Sequence, residues 1–252
     1  MGHGACQMTQ QPLISDQDKA QLKRIFRKDL NRDVYLRLFT QRPSPVTIPG
    51  RECRYCAQTQ QLMEELTALS PKVHLETIDF YKESQLAKEH GVTRIPAIEF
   101  GGDEPSGEDP TRPGPSRLKF YGIPSGHQLA TVVEDIKTIS RGVSPLTTGT
   151  RKKLRQMNKP VHIQVFVTPT DTFCPGQARL AHAFALESPK ITADVVEMQE
   201  FPLLAQNYNI RSVPLTVINE FIRLEGVAGE TQLLEKVLEA GVTQAAVTGG
   251  SQ

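Results

Sequence analysis

The residues best suited to chemistry are Cys53 and Cys56, set two residues apart in Cys53-Arg54-Tyr55-Cys56. They stand at the head of Ala57 to Leu69, a stretch that reads as a helix. Two thiols at this spacing can close a disulfide. A helix start also presents free N–H groups and the positive dipole end, which stabilise a thiolate on the first sulfur. At such sites thiol pKa values fall to about 3.5–7.5, against about 8.5 for a free cysteine. Arg51 and Arg54 add positive charge; Arg54 favours the thiolate, and Tyr55 shapes the sulfur environment. Cys-x-x-Cys can also be half of a zinc site, which in a structural role needs four protein ligands. The remaining cysteines, Cys6 and Cys174, are isolated in sequence and supply no second pair. Thiol–disulfide exchange is the favoured chemistry, with zinc its main rival.

The elements that must position this pair follow from periodicity. Leu62, Leu66 and Leu69 give the helix after Cys56 one buried face. Upstream, Ser15 can cap a helix running to about Leu30, and Val34 to Phe39 alternates as a strand. The connection to Cys53, with Pro43, Pro45 and Pro49, must be a loop. Downstream come a strand over Val73–Asp79, a short helix over Glu83–His90 stopped at Gly91, and a β-like run opened by Pro96. A strand over Arg117–Tyr121 follows, then a helix bearing Leu129, Val132, Val133, Ile136 and Ile139, with Ser125 and Gln128 as its capping box. Residues 101–116, rich in Gly, Pro, Ser and acidic side chains, predict a mobile loop between two antiparallel strands.

The second half repeats this order. Val161–Val167 predicts a strand, and Cys174-Pro175-Gly176-Gln177 stands where Cys53 to Cys56 stood. Val195–Met198 is the next strand and Leu203–Tyr208 the short helix. Ile210-Arg211-Ser212-Val213-Pro214 mirrors Val92 to Pro96, and Gly226 answers Gly122. A closing helix carries Leu233, Leu234, Val237 and Leu238 and ends near Gly241. Such a match in one element order is a tandem duplication. The expected organisation is a disordered tail (1–12), an N-terminal domain (13–142), a C-terminal domain (143–245) and a second tail (246–252).

On these residues each half resembles a thioredoxin fold of the glutaredoxin type, an α/β unit with a central mixed sheet flanked by helices. The resemblance implies that Pro96 and Pro214 are cis prolines, whose loops leave the backbone of Ile95 and Val213 free to pair with an extended substrate. The whole chain is similar to the tandem protein disulfide oxidoreductases of thermophilic archaea and bacteria. Phe120-Tyr121-Gly122-Ile123-Pro124-Ser125-Gly126-His127, Val165-Phe166-Val167-Thr168-Pro169-Thr170 and Arg179-Leu180-Ala181-His182 carry that similarity. It implies exchange of protein disulfides through Cys53 and Cys56. It also implies electrons from a thioredoxin-reductase-like flavoprotein and peroxiredoxins among the targets. The chain departs from the family at Gln177, which replaces the second cysteine of the C-terminal pair, in the long Arg42–Pro49 loop, and in the 101–116 insertion. Cys174 is thus open to two readings: a monothiol activated at a helix start, or a relic.

Composition narrows the setting. The 252 residues carry 29 basic and 28 acidic side chains, so nothing points to nucleic acid or an anionic membrane surface. No apolar run reaches the ~20 residues of a membrane span, and Met1 to Gln7 lacks a secretion signal's apolar core. A cytoplasmic enzyme with no bound cofactor or metal is expected, its redox group the Cys53–Cys56 disulfide. The alternative is a client-binding, chaperone-like module without net redox turnover.

Overall fold

The computed structural model describes residues 11–42, 50–101 and 115–248, with side chains through 242. Residues 1–10 with Cys6, the 43–49 part of the long loop, the 102–114 part of the insertion and residues 249–252 lie outside the described residues.

The first half runs α1 (Asp16–Asp29), β1 (Val34–Thr40), α2 (Cys56–Thr67), β2 (Val73–Asp79), α3 (Ser84–Glu89), β3 (Ala97–Gly101), β4 (Leu118–Tyr121) and α4 (Gln128–Arg141). The second half repeats it: α5 (Thr148–Arg155), β5 (Val161–Val167), α6 (Cys174–Glu187), β6 (Ile191–Glu197), α7 (Pro202–Asn207), β7 (Leu215–Ile218), β8 (Ile222–Glu225) and α8 (Glu230–Thr248). Ser15 caps α1 as its sequence predicts, its hydroxyl accepting from the Asp18 N–H at 3.1 Å.

All eight strands form one sheet in the order β2-β1-β3-β4-β6-β5-β7-β8. Within each half the strand after the crossover helix lies parallel to the first, and the closing hairpin is antiparallel. The halves meet where β4 pairs parallel with β6, in the register Leu118↔Ala193 to Tyr121↔Val196. Helices cover both faces, so alternate residues of one strand feed different cores. Leu36 and Leu38 belong to the larger cluster, while Phe39 joins Ile78, Ala87, Tyr121, Phe166 and Leu215 in the smaller one.

The seam between halves is polar as well as apolar. His182 of α6 and Asp135 of α4 pair at 2.7 Å, both buried, and the other ring nitrogen faces the Lys119 carbonyl at 3.2 Å. Burial works against a charged imidazole, yet the Asp135 carboxylate outweighs it and raises the His182 pKa. Arg117 donates to the Ala185 carbonyl at 3.0 Å.

Three local expectations give way to tertiary contacts. The capping box does not form: α4 has no side-chain cap, because the Gln128 carboxamide turns inward, donating to the Thr168 carbonyl at 3.3 Å and accepting from the Thr131 hydroxyl at 3.0 Å. Gly241 does not end the last helix, which packs there against Met157, Lys159 and Val161 and runs on to Thr248. The C-terminal tail expected from residue 246 is therefore still helical through 248. At the other end, Gln11 of the expected N-terminal tail is held, its carbonyl accepting from the Gln61 amide at 2.8 Å.

Candidate active site

Cys53 and Cys56 are joined in a disulfide, with Cα atoms 5.4 Å apart. Helix α2 starts at Cys56, so Cys53 stands one turn ahead of it, in the segment that leads in from the long loop. This offset separates the two sulfurs in kind. Cys56 is 2% exposed, and its sulfur accepts from the Gln41 N–H at 3.4 Å. Cys53 is only half-buried. The expected face of α2 is buried at Leu62 and Leu66, joined by Met63, and anchors the helix under the pair. The Thr40 hydroxyl at the end of β1 reaches the Cys56 carbonyl at 3.5 Å.

Beside the disulfide lies a cleft of about 620 Å³ lined by Glu52, Cys53, Arg54, Tyr55, Arg94, Ile95 and Pro96 from the first half and by Gln199 to Leu204 from the second. The Ile95–Pro96 peptide is cis, as is Val213–Pro214. Each proline carbonyl accepts from the glycine after the neighbouring strand, Gly122 or Gly226, at 2.9 Å. The rim is basic and aromatic. The Arg54 guanidinium lies 5.3 Å from the Tyr55 ring centre, Arg51 lies 4.9 Å from that of Tyr81, and Arg94 spans Tyr121 and Phe201 at 5.0 and 5.8 Å.

The second half contributes an apolar wall. Leu203 is 75% exposed at the start of α7, with Phe201, Pro202 and Leu204 beside it. Glu200 stands in the same wall. Its carboxylate accepts from the Ile123 N–H at 2.5 Å, and burial, aided by the neighbouring Glu197 charge, pushes its pKa up to about 7. Gly122 makes room for it: an added Cβ would sit 2.8 Å from Glu200 Oε1, and φ there is +100°.

Cys174 occupies a different environment. It is the first residue of α6, fully buried, and burial pushes its thiol up to about 12, reinforced by Asp171. The activation expected at a helix start is overridden, because the Asp171 carboxylate already takes the Phe173 and Cys174 N–H groups at 2.9 and 2.7 Å. Gln177 is also buried, donating to the Thr216 hydroxyl at 3.0 Å and accepting from the Ala228 N–H at 2.9 Å. The structure therefore brings Cys53, Arg54, Tyr55, Ile95 and Pro96 together, and leaves Cys174, Val213 and Pro214 outside that cleft. Among the described residues no three His, Cys, Asp or Glu side chains gather as metal ligands, and no helix is long and apolar enough to cross a membrane.

Residues 161–239 match the family model described as Thioredoxin domain. Thioredoxin of Methanocaldococcus jannaschii is 30% identical over 78 residues, 31% of this chain and 92% of that protein. The chain belongs to the thioredoxin family. Among solved structures, a protein disulfide oxidoreductase from Aeropyrum pernix superposes with a TM-score of 0.79 at 26% identity, covering 91% of this chain and 94% of the other. The alkylhydroperoxide reductase AhpF of Enterococcus faecalis superposes with a TM-score of 0.76 at 25% identity, covering 89% of this chain and 99% of the other. This protein is thus a thiol–disulfide oxidoreductase built of two thioredoxin-like folds in tandem. The family model falls on the half with a single cysteine, Cys174.

Sequence reasoning missed the oxidoreductase's second wall, Gln199 to Leu204. The repeat places these residues at the start of α7, equivalent to the start of α3, in the half that lacks a cysteine pair. Only the pairing of β4 with β6 shows that this turn borders the other half's disulfide.

Proposed function

We propose that the enzyme exchanges protein disulfides through Cys53 and Cys56. The thiolate of Cys53 attacks a client disulfide, a Cys53–client bond forms, and one client thiolate leaves. Cys56 then attacks the Cys53 sulfur, closing the 53–56 disulfide and releasing the second client thiolate. Two electrons and two protons reach the client, and a thioredoxin-reductase-like flavoprotein restores the dithiol. The carrying observation is the asymmetry of the pair: one sulfur at an open cleft, the other buried behind it. Attack falls to the accessible cysteine and resolution to the protected one.

Clients lie extended along Ile95-Pro96, with Arg54 and Tyr55 at the rim. Val213-Pro214 has the same form but no exchangeable disulfide to serve, and Cys174 is redox-silent. Residues 13–142 form the redox domain and 143–245 a supporting one. Peroxiredoxins are proposed as clients, a reading supported by the likeness to an alkylhydroperoxide reductase. The reaction is placed in the cytoplasm, where four cysteines over 252 residues suit a catalytic and not a structural disulfide. The test is insulin-disulfide reduction with dithiothreitol. Wild type accelerates it, and Cys53→Ser falls to the uncatalysed background; retention of the wild-type rate would remove the proposal.

A further inference from the structure

The cleft beside Cys53 has two walls of different character, one from each half. The first half supplies cations. Among the described residues every arginine–ring contact falls around the disulfide: Arg51 on Tyr81, Arg54 on Tyr55, and Arg94 between Tyr121 and Phe201. Elsewhere basic side chains are taken by acids, as Lys19 is by Glu65 and Arg151 and Arg155 are by Glu187. These three arginines have no carboxylate partner among the described residues. Stacking holds a guanidinium by its face and leaves its N–H edge to meet a carboxylate. The chain's charges nearly cancel, 29 basic against 28 acidic, so this excess is local. The carboxyl groups lining the cleft are Glu52 and Glu200, and the second is engaged with the Ile123 N–H. The second half supplies apolar surface. Phe201 and Leu204 pack against the smaller core, α7 buries no residue fully, and Leu203 is left 75% exposed in the cleft wall. A cleft of about 620 Å³ takes a short extended stretch of chain, not a folded surface.

We infer that the cleft selects clients by the residues around their disulfide, taking those whose attacked cysteine is flanked by a carboxylate and a large apolar side chain. The inference rests on the Cys53 chemistry proposed above and deepens it by naming the client class. The carboxylate meets Arg54 and Arg94, and the apolar side chain meets Leu203. Both groups line the space onto which Cys53 opens, so one bound stretch engages them while its disulfide meets the sulfur. Guanidiniums held in a half-enclosed cleft steer an acidic segment toward it and suppress a basic one. Covering Leu203 removes apolar surface from water, a gain that a client with a small polar residue forgoes. Arg94 joins the two walls, because its two rings come one from each half. The half without a cysteine pair thereby reads the client that the other half reduces.

The experiment uses the reduced full chain and disulfide peptides of one length, their cysteine flanked by Asp and Leu, Lys and Leu, Asp and Ser, or Lys and Ser. Each rate of reduction is divided by that of the same peptide with dithiothreitol, which removes differences in thiol acidity. At about 0.01 M salt the Asp peptides should react about tenfold faster than the Lys peptides. That ratio should fall below about threefold at 1 M, where the screening length has dropped from about 30 to 3 Å. Leu peptides should exceed Ser peptides by about fivefold at either salt, the effect of partly burying one leucine. Arg94→Gln should narrow the Asp-to-Lys ratio and keep the Leu-to-Ser ratio; Leu203→Ser should do the reverse. Should the Arg94 variant not fold, Arg54→Gln, at an exposed position, tests the same ratio. Equal corrected rates for all four peptides overturn the inference. So does a variant that slows all four by one factor with both ratios intact, as arginines acting only on the Cys53 thiolate would. Failure of the underlying chemistry shows separately: Cys53→Ser would then reduce every peptide as fast as wild type.

Discussion

The two cysteine sites share a local pattern and differ in nearly everything that decides reactivity. Cys53 stands ahead of its helix, half-buried, at a cleft. Cys174 is the first residue of its helix, which the dipole argument would favour, yet its thiol is pushed up to about 12. The comparison ranks the effects. A helix terminus contributes about 0.3–1 kcal/mol, whereas burial can move a pKa by up to about 3–5 units, and Asp171 adds a negative charge where the dipole offers a positive one. Burial wins. At the second position the contrast is as sharp: Cys56 closes a disulfide, while Gln177 ties α6 to Thr216 and Ala228.

The comparison can be broken most directly at the sulfurs. Cys53→Ser should abolish disulfide turnover, whereas Cys174→Ser should change it by less than about twofold, since a buried protonated thiol makes no attack; equal losses in an insulin-reduction assay would mean that Cys174 relays exchange. Next in size is the seam on which the asymmetry depends. His182→Ala leaves the Asp135 carboxylate buried without its partner, so denaturant unfolding should show a loss of about 3–5 kcal/mol. In the wild-type chain the raised His182 pKa contributes stability below pH 6.5 that is lost as pH rises through its folded value.

Gln177→Cys sharpens the comparison further. It strips partners from Thr216 and the Ala228 N–H, at a cost of about 1–3 kcal/mol. Thiol counting should then find a second disulfide partner for Cys174, but client reduction should not gain a second site, because that sulfur has no exposed face. The smallest effect lies in the first half, where Glu65 takes the Leu13 and Ile14 N–H groups and pairs with Lys19 at 2.8 Å. Although its partial burial opposes the charge, these bonds hold its pKa at about 2. Its contribution is present above pH 4.5 and lost as pH falls through 2; the pair is largely solvent-screened, so Glu65→Gln should cost no more than about 1 kcal/mol at pH 7.

The amino-acid sequence by itself determined the element order, the duplication and the disulfide pair, because periodicity, proline placement and Cys-x-x-Cys spacing are local properties that survive in any context. It could not determine what Gln128 does, since a carboxamide that could cap its own helix instead bonds the Thr168 carbonyl of the other half. Nor could it determine the state of Cys174, because a helix start is legible in sequence and the depth of the surrounding core is not. The cleft was decided last and only in three dimensions. Pairing of β4 with β6 sets Gln199 to Leu204 against Cys53, joining residues that no spacing rule connects, since their proximity depends on which sheet edges meet.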